Sequence, residues 1–257
     1  MRKFLFLPLL ALLASCGKNE DCDIVTPQPE DLVSPALYAT LSQSSTDPYN
    51  GPLEVLPCET NGSFYIGNYT AKGKQVPFPA YYLITNGIGK SQKYPLRLPV
   101  GTYNVIYWGY PDYFGTAGDA YLADPTLIIG KKLNTTSLGL RKIPGDTVYY
   151  PIHSLVYGTQ NINIGKDDLQ AHLKHASAAL SVIVSETNGD AFSDAIDSMW
   201  IYISNIYSNL NYFSARPEGT FKTISFGLKP STNRTEFNNN FVSVFPSQPN
   251  PMFQIFV

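Results

Sequence analysis

Turn chemistry cuts this chain into short β-forming runs along almost its whole length. Asp47-Pro48-Tyr49-Asn50-Gly51-Pro52, Asn61-Gly62 and Asn86-Gly87 separate the runs 36–41, 53–58, 63–66, 81–85 and 94–98. Asn-Gly between apolar runs is a strong hairpin signal, because both residues tolerate the positive φ of a tight turn. Pro99 and Gly101 then turn the chain into Thr102-Tyr103-Asn104-Val105-Ile106-Tyr107-Trp108. Positions 103–108 are apolar or aromatic on both faces, which predicts a central strand buried between two layers. Weaker strands are expected at 126–129 and 147–150, and 155–158 closes a first half. In the second half, 178–185 alternates cleanly, and further strands are expected at 199–203, 220–226, 241–245 and 252–257. Two segments point toward helix. Leu169, His172, Leu173 and Ala176 have helical spacing but could equally form a strand, and 190–196 reads as one or two helical turns. Strands with turns every eight to twelve residues predict an all-β chain built of β-sandwiches.

Composition agrees and narrows the function. Charged residues make up 15% of the chain, well below the roughly 25% of ordinary soluble domains. Eighteen Lys and Arg stand against 20 Asp and Glu, so the chain lacks the basic surplus that nucleic-acid binding needs. Aromatic residues reach 13%, and the helix formers that a bundle needs in bulk are scarce.

The N-terminus carries an address. Arg2 and Lys3 precede a short apolar run, Phe4 to Leu13, interrupted by Pro8. That run is too short for a bilayer, which takes about 20 apolar residues. Leu13-Ala14-Ser15-Cys16 follows, with Gly17 after it. Small residues before a Cys at a cleavage position look like a bacterial lipobox, in which Cys16 is acylated and becomes the new N-terminus. Loss of residues 1–15 leaves 16 basic and 20 acidic residues, a mature charge of −4. Two or three acyl chains, at about 0.8 kcal/mol per buried CH₂, anchor such a protein without a spanning segment. The expected organisation is signal peptide 1–15, tether 16–34, N-terminal β-sandwich 35–159 and C-terminal β-sandwich 160–257. Cys22 and Cys58 remain, an even pair in an oxidising compartment; they either form a disulfide tying the tether to the first strands or stay as two thiols.

Chemistry is hard to find. Gly87-Ile88-Gly89-Lys90-Ser91 holds a GKS triplet, but Ile84 stands where a phosphate loop needs its first Gly, and the segment reads as a hairpin tip. The only histidines are His153, His172 and His175. His172 and His175 would share a face on a helix and point to opposite sides on a strand, and no third ligand is evident, so no metal site is expected. Nucleophile elbows, HExxH and dinucleotide fingerprints are absent. Asp112, Asp119 and Asp124 share a long loop with Tyr110, Tyr113, Phe114 and Tyr121. Those aromatics could face a sugar or another surface ligand, giving a surface glycan-binding lipoprotein as the alternative function; the plainer reading is a solvated connection. No catalytic residue and no cofactor is expected. The chain also stops at Gln254-Ile255-Phe256-Val257, inside an apolar run. An uncapped apolar edge invites pairing, so either a further strand is missing or the sheet lacks a neighbour there.

Four stretches carry a family resemblance: the lipobox, Leu98-Pro99-Val100-Gly101-Thr102-Tyr103-Asn104-Val105-Ile106-Tyr107-Trp108-Gly109, Ile152-His153-Ser154-Leu155-Val156-Tyr157-Gly158, and Leu173-Lys174-His175-Ala176-Ser177-Ala178-Ala179-Leu180-Ser181-Val182. Together with the Phe245-Pro246-Ser247 turn, they resemble the fimbrillin superfamily of Bacteroidales bacteria, and within it the minor fimbrial anchor and accessory lipoproteins. The resemblance implies two tandem transthyretin-like β-sandwiches and a non-enzymatic, lipid-anchored protein of the outer membrane, exposed at the cell surface. It also implies joining to other fimbrial subunits by β-strand addition. Family stalk subunits are trimmed after a basic residue near the N-terminus. Here no Arg lies between Arg2 and Arg97, and Lys18 is the only Lys between Lys3 and Lys72, which favours a subunit that keeps its lipid. Family members usually continue past the equivalent of Val257, so the second sandwich is expected to be incomplete. Asp146-Thr147-Val148 and Asp197-Ser198-Met199 are similar to the O-glycosylation sites of secreted proteins in that phylum, which makes Thr147 and Ser198 candidates.

Overall fold

The computed structural model describes residues 27–41, 47–91, 94–111 and 122–257. No α-helix occurs among them, and the chain is all-β. One large sheet runs through Leu169–His175, Val156–Ile164, Gly101–Gly109, Gly51–Glu59, Ala80–Thr85, Ile88–Ser91 and Leu37–Leu41. Leu37–Leu41 also pairs in parallel with Leu169–His175, in register from Leu37↔Leu169 to Leu41↔Leu173, so these seven strands close into a ring. The ring is thinnest where Leu37–Leu41 meets Ile88–Ser91, through the single pair Tyr38↔Ile88. A second sheet runs through Leu122–Ala123, Ser137–Leu140, Met199–Asn211, Pro217–Pro230, Glu236–Asn238 and Ile183–Ser185, and Phe253–Phe256 also pairs with Met199–Asn211.

The Gly101–Gly109 strand takes the central place expected of it. It pairs with Val156–Ile164 on one side and with Gly51–Glu59 on the other. Side chains on a strand alternate between faces, so a strand that is apolar on both faces can serve two cores. Val105 and Tyr107 point into the ring with Leu53, Val55, Ile162 and Leu169. Ile106 and Trp108 point outward, with Leu56, Cys58 and Tyr65, into a second core shared with Ile201, Ile203 and Leu210. Close approach of strands explains one glycine: a Cβ on Gly158 would lie 2.8 Å from the His172 carbonyl oxygen. Asn86 and Gly87 adopt φ of 50° and 75°, as a two-residue turn between Ala80–Thr85 and Ile88–Ser91 requires.

Several local expectations are corrected. The return strand after Asn86-Gly87 is Ile88–Ser91, so the GKS triplet lies on that strand. Of the two readings left open for 169–175 the structure takes the strand, because its alternate residues Leu169, Ala171 and Leu173 fill the ring. The alternating run 178–185 is two strands in different sheets, Ala178–Leu180 against Val242–Val244 and Ile183–Ser185 against Glu236–Asn238. Asn239 makes the break: its Oδ1 accepts from the Val182 amide at 2.7 Å and its Nδ2 donates to the Leu180 carbonyl at 3.1 Å. Segment 190–196 is irregular with a turn, since the Arg234 guanidinium takes the carbonyls of Ser193 and Ile196 at 2.9 and 2.6 Å. A division of the chain at 159/160 would fall inside Val156–Ile164, whose whole length pairs with Gly101–Gly109. The first sheet runs on to His175, while Leu122–Ala123 and Ser137–Leu140 belong to the second sheet.

Candidate functional site

Three places combine exposure or charge with defined geometry. The first is the edge of the second sheet. Phe253–Phe256 pairs with Met199–Asn211 in the register Trp200↔Phe256, Ile201↔Ile255, Tyr202↔Gln254 and Ile203↔Phe253. Ile201 and Ile203 are buried, whereas Phe253, Ile255 and Phe256 are 51%, 50% and 55% exposed. The strand is apolar, carries no charge and has no second partner strand among the described residues. Beside it lies an aromatic cleft of about 510 Å³, lined by Ile143, Tyr150, Trp200, Tyr202 and Phe226. Phe256 meets Tyr202 edge-on at 5.0 Å. The other long strand of this sheet differs: Pro217–Pro230 carries Glu218, Lys222 and Lys229. Charges on an edge discourage pairing with foreign strands, and their absence leaves the apolar edge able to pair.

The second place is the junction between the ring and the second sheet. The Trp108 indole is buried, donates from Nε1 to the Tyr212 carbonyl at 3.0 Å and stacks on the Tyr212 ring at 5.7 Å. Tyr157 packs against the same indole at 4.9 Å, and its hydroxyl donates to the Phe213 carbonyl. Glu54 sits half-buried on the outer face of the ring, and the Tyr212 hydroxyl donates to its Oε2 at 3.5 Å. Burial, and secondarily the negative charge of Asp124, push the Glu54 carboxyl up to about 7, against a smaller opposing effect of the Tyr212 hydrogen bond. A carboxylate whose pKa is raised on folding stabilises the fold when protonated. Its contribution is full below the unfolded value of about 4.3 and is lost as pH rises through about 7. Glu54→Gln is therefore expected to flatten the decline of stability between pH 5 and 8. At pH 8 it should gain about 1–2 kcal/mol in urea unfolding, after allowance for partial exposure.

The third place is a polar groove, formed by two adjoining clefts of about 480 and 430 Å³ that share Asn104 and Phe213.

The residues singled out from sequence are scattered. Cys16, Cys22, Asp112, Tyr113, Phe114, Asp119 and Tyr121 lie outside the described residues. Tyr110 is half-buried; burial first, then the charges of Glu54 and Asp124, raise its phenol well above the ordinary value. Cys58 carries a free thiol that is fully buried in the core between ring and second sheet, and burial with the nearby Glu59 charge pushes it up to about 12. Thr147 lies exposed in the turn after Asp146, and Ser198 is exposed just before Met199–Asn211. His172 and His175 stand on a strand, with His172 Nδ1 3.0 Å from the Thr40 hydroxyl. Among the described residues no group of three or more His, Cys, Asp or Glu could hold a metal ion. Sequence reasoning missed Glu54, Tyr212 and the polar groove. Each depends on strands far apart in the chain, and no local signal marks them.

The sequence profile of the fimbrillin-A associated anchor proteins Mfa1 and Mfa2 matches residues 27–257. No curated protein sequence matches the chain. Two solved structures of candidate adhesins from Bacteroides ovatus share the fold. One has a TM-score of 0.56 at 12% identity, covering 87% of this chain and 73% of that one. The other has a TM-score of 0.50 at 13% identity, covering 87% and 71%. The fimbrial anchor protein Mfa2 from Porphyromonas gingivalis aligns with a TM-score of 0.49 at 11% identity over 86% of this chain and 76% of that one. With nine-tenths of its length matched by the family profile, the chain belongs to the fimbrillin-A associated anchor proteins Mfa1 and Mfa2.

Proposed function

We propose that this protein is a non-enzymatic surface lipoprotein, a fimbrial anchor or accessory subunit, held in the outer membrane by acyl chains on Cys16. Other fimbrial subunits join it by adding a β-strand at the Phe253–Phe256 edge. Family membership supports the fimbrial anchor or accessory role, and the lipobox ending at Cys16 supports the acyl anchor. The uncharged, half-exposed apolar edge supports strand addition. A residue of an added strand placed beside Phe256 would point to the same face as Phe256 and Trp200, next to the aromatic cleft. Backbone hydrogen bonds would then supply affinity and the cleft would select the side chain.

Mixing the detergent-solubilised full-length protein with the fimbrial subunits made alongside it tests this reading. A complex that survives denaturant at concentrations that unfold either partner alone is the expected result. Absence of any such complex with every subunit tried would remove the assembly role. Retention of a Cys16→Ala variant in the membrane fraction would remove the lipid anchor.

A further inference from the structure

We propose that the polar groove around Asn104 and Phe213 binds an acid-bearing oligosaccharide, one whose sugars carry carboxylate or sulfate groups. Asn104 faces outward from the ring on Gly101–Gly109, and its Nδ2 donates to the carbonyls of Glu59 and Gly62 at 3.2 and 3.1 Å. Those two bonds fix the amide and leave its Oδ1 as the acceptor for a ligand hydroxyl. They also hold the turn that carries Ser63. Ser63 lines the groove, is 3% exposed, and its Oγ has no hydrogen-bond partner in the protein. A buried hydroxyl without a partner costs stability, and a ligand oxygen at this wall would satisfy it.

The ends of the groove are cationic. Lys132 lies over the Phe64 ring at 5.8 Å, with Phe64 38% exposed, and Arg216 lines the other end. Neither cation pairs with a carboxylate among the described residues. No acidic residue lines either cleft. Glu218, two residues from Arg216, is held by Ser137 and by Asn211. Amides, aromatic faces and unpaired cations in one open groove suit the hydroxyls, apolar ring faces and acid groups of such a sugar. A peptide strand suits it poorly. Gly101–Gly109, the floor of the groove, already pairs on both sides, at Asn104↔Asn161 and Asn104↔Cys58, so no backbone edge is left to extend.

Titration of the full-length protein in detergent with an oligogalacturonate hexamer, its neutral methyl ester, a sulfated glycosaminoglycan hexamer and a polyglutamate peptide tests the site. Binding of at least one acidic sugar is expected, stronger than the methyl ester and weakened by salt; comparison of the two acidic probes separates carboxylate from sulfate recognition. Arg216→Ala and Lys132→Ala should each weaken that binding about tenfold, the effect of losing one charge-assisted contact. Ser63→Ala should weaken it several-fold while the melting temperature stays constant or rises, which a merely structural serine would not do. Failure of both acidic sugars to bind at millimolar concentration would overturn the proposal. So would indifference of binding to all three variants, or tighter binding of polyglutamate than of either sugar.

Discussion

Trp108→Ala is expected to remove about 4–6 kcal/mol of stability, a large part of what holds a chain of this size folded. The indole is 1% exposed and lies where the two cores meet. Truncation would open a cavity between the ring and the second sheet, and a large-to-small change of this kind costs about 3–5 kcal/mol on its own. The Tyr212 carbonyl would also lose its donor in a buried setting, at about 1 kcal/mol more. Trp108→Phe separates these contributions: it keeps most of the ring contact with Tyr157 and Tyr212 but still leaves that carbonyl unmet, so a loss of about 2 kcal/mol is expected. Urea unfolding followed by far-UV circular dichroism reads the total. Trp200 is the only other tryptophan, so fluorescence of Trp108→Ala reports the second sheet alone. A loss below 1 kcal/mol would show that the junction is not a principal contact.

Trp108 also shows how much of the fold could be read from the chain. The run 103–108 announced a strand with two apolar faces, and the structure gives each face its own core. Asn86-Gly87 announced a tight turn and adopts the positive φ values that turn demands. These signals are local, set by side-chain alternation and backbone sterics within a few residues. The expected division at 159/160 falls inside Val156–Ile164, and the first sheet is closed by Leu37–Leu41 pairing with Leu169–His175, a contact that no local pattern encodes. The break at Ser181 and Val182 was hidden for a similar reason: its cause, Asn239, arrives from a later loop. The candidate sites were less legible still. Within the sequence Asn104 is one polar residue in an otherwise apolar run and Glu54 a single carboxylate in another, and nothing local marks either as part of a site. Their roles appear only once Gly62, Phe213, Tyr212 and Asp124 are brought to them.

Paired lysines at Phe253 and Ile255 are expected to abolish strand addition while leaving the fold intact. Both side chains are half-exposed, so the charges stay hydrated in the free protein and the cost to folding is small. An added strand would cover that edge and take the two ammonium groups out of water without a partner. An uncompensated buried charge costs about 3–5 kcal/mol, so complex formation should fall by about a hundredfold or more. The opposite long strand supplies the control. Thr220→Lys adds a single charge at an exposed position of Pro217–Pro230, a strand that already carries Lys222 and Glu218, and should leave assembly unchanged. Sedimentation of each variant with the subunit that the parent protein captures distinguishes the two strands. Loss of capture only in the Phe253/Ile255 variant places assembly at this edge. Equal capture by all three proteins would leave the apolar edge without a role in joining, whatever partner the anchor holds.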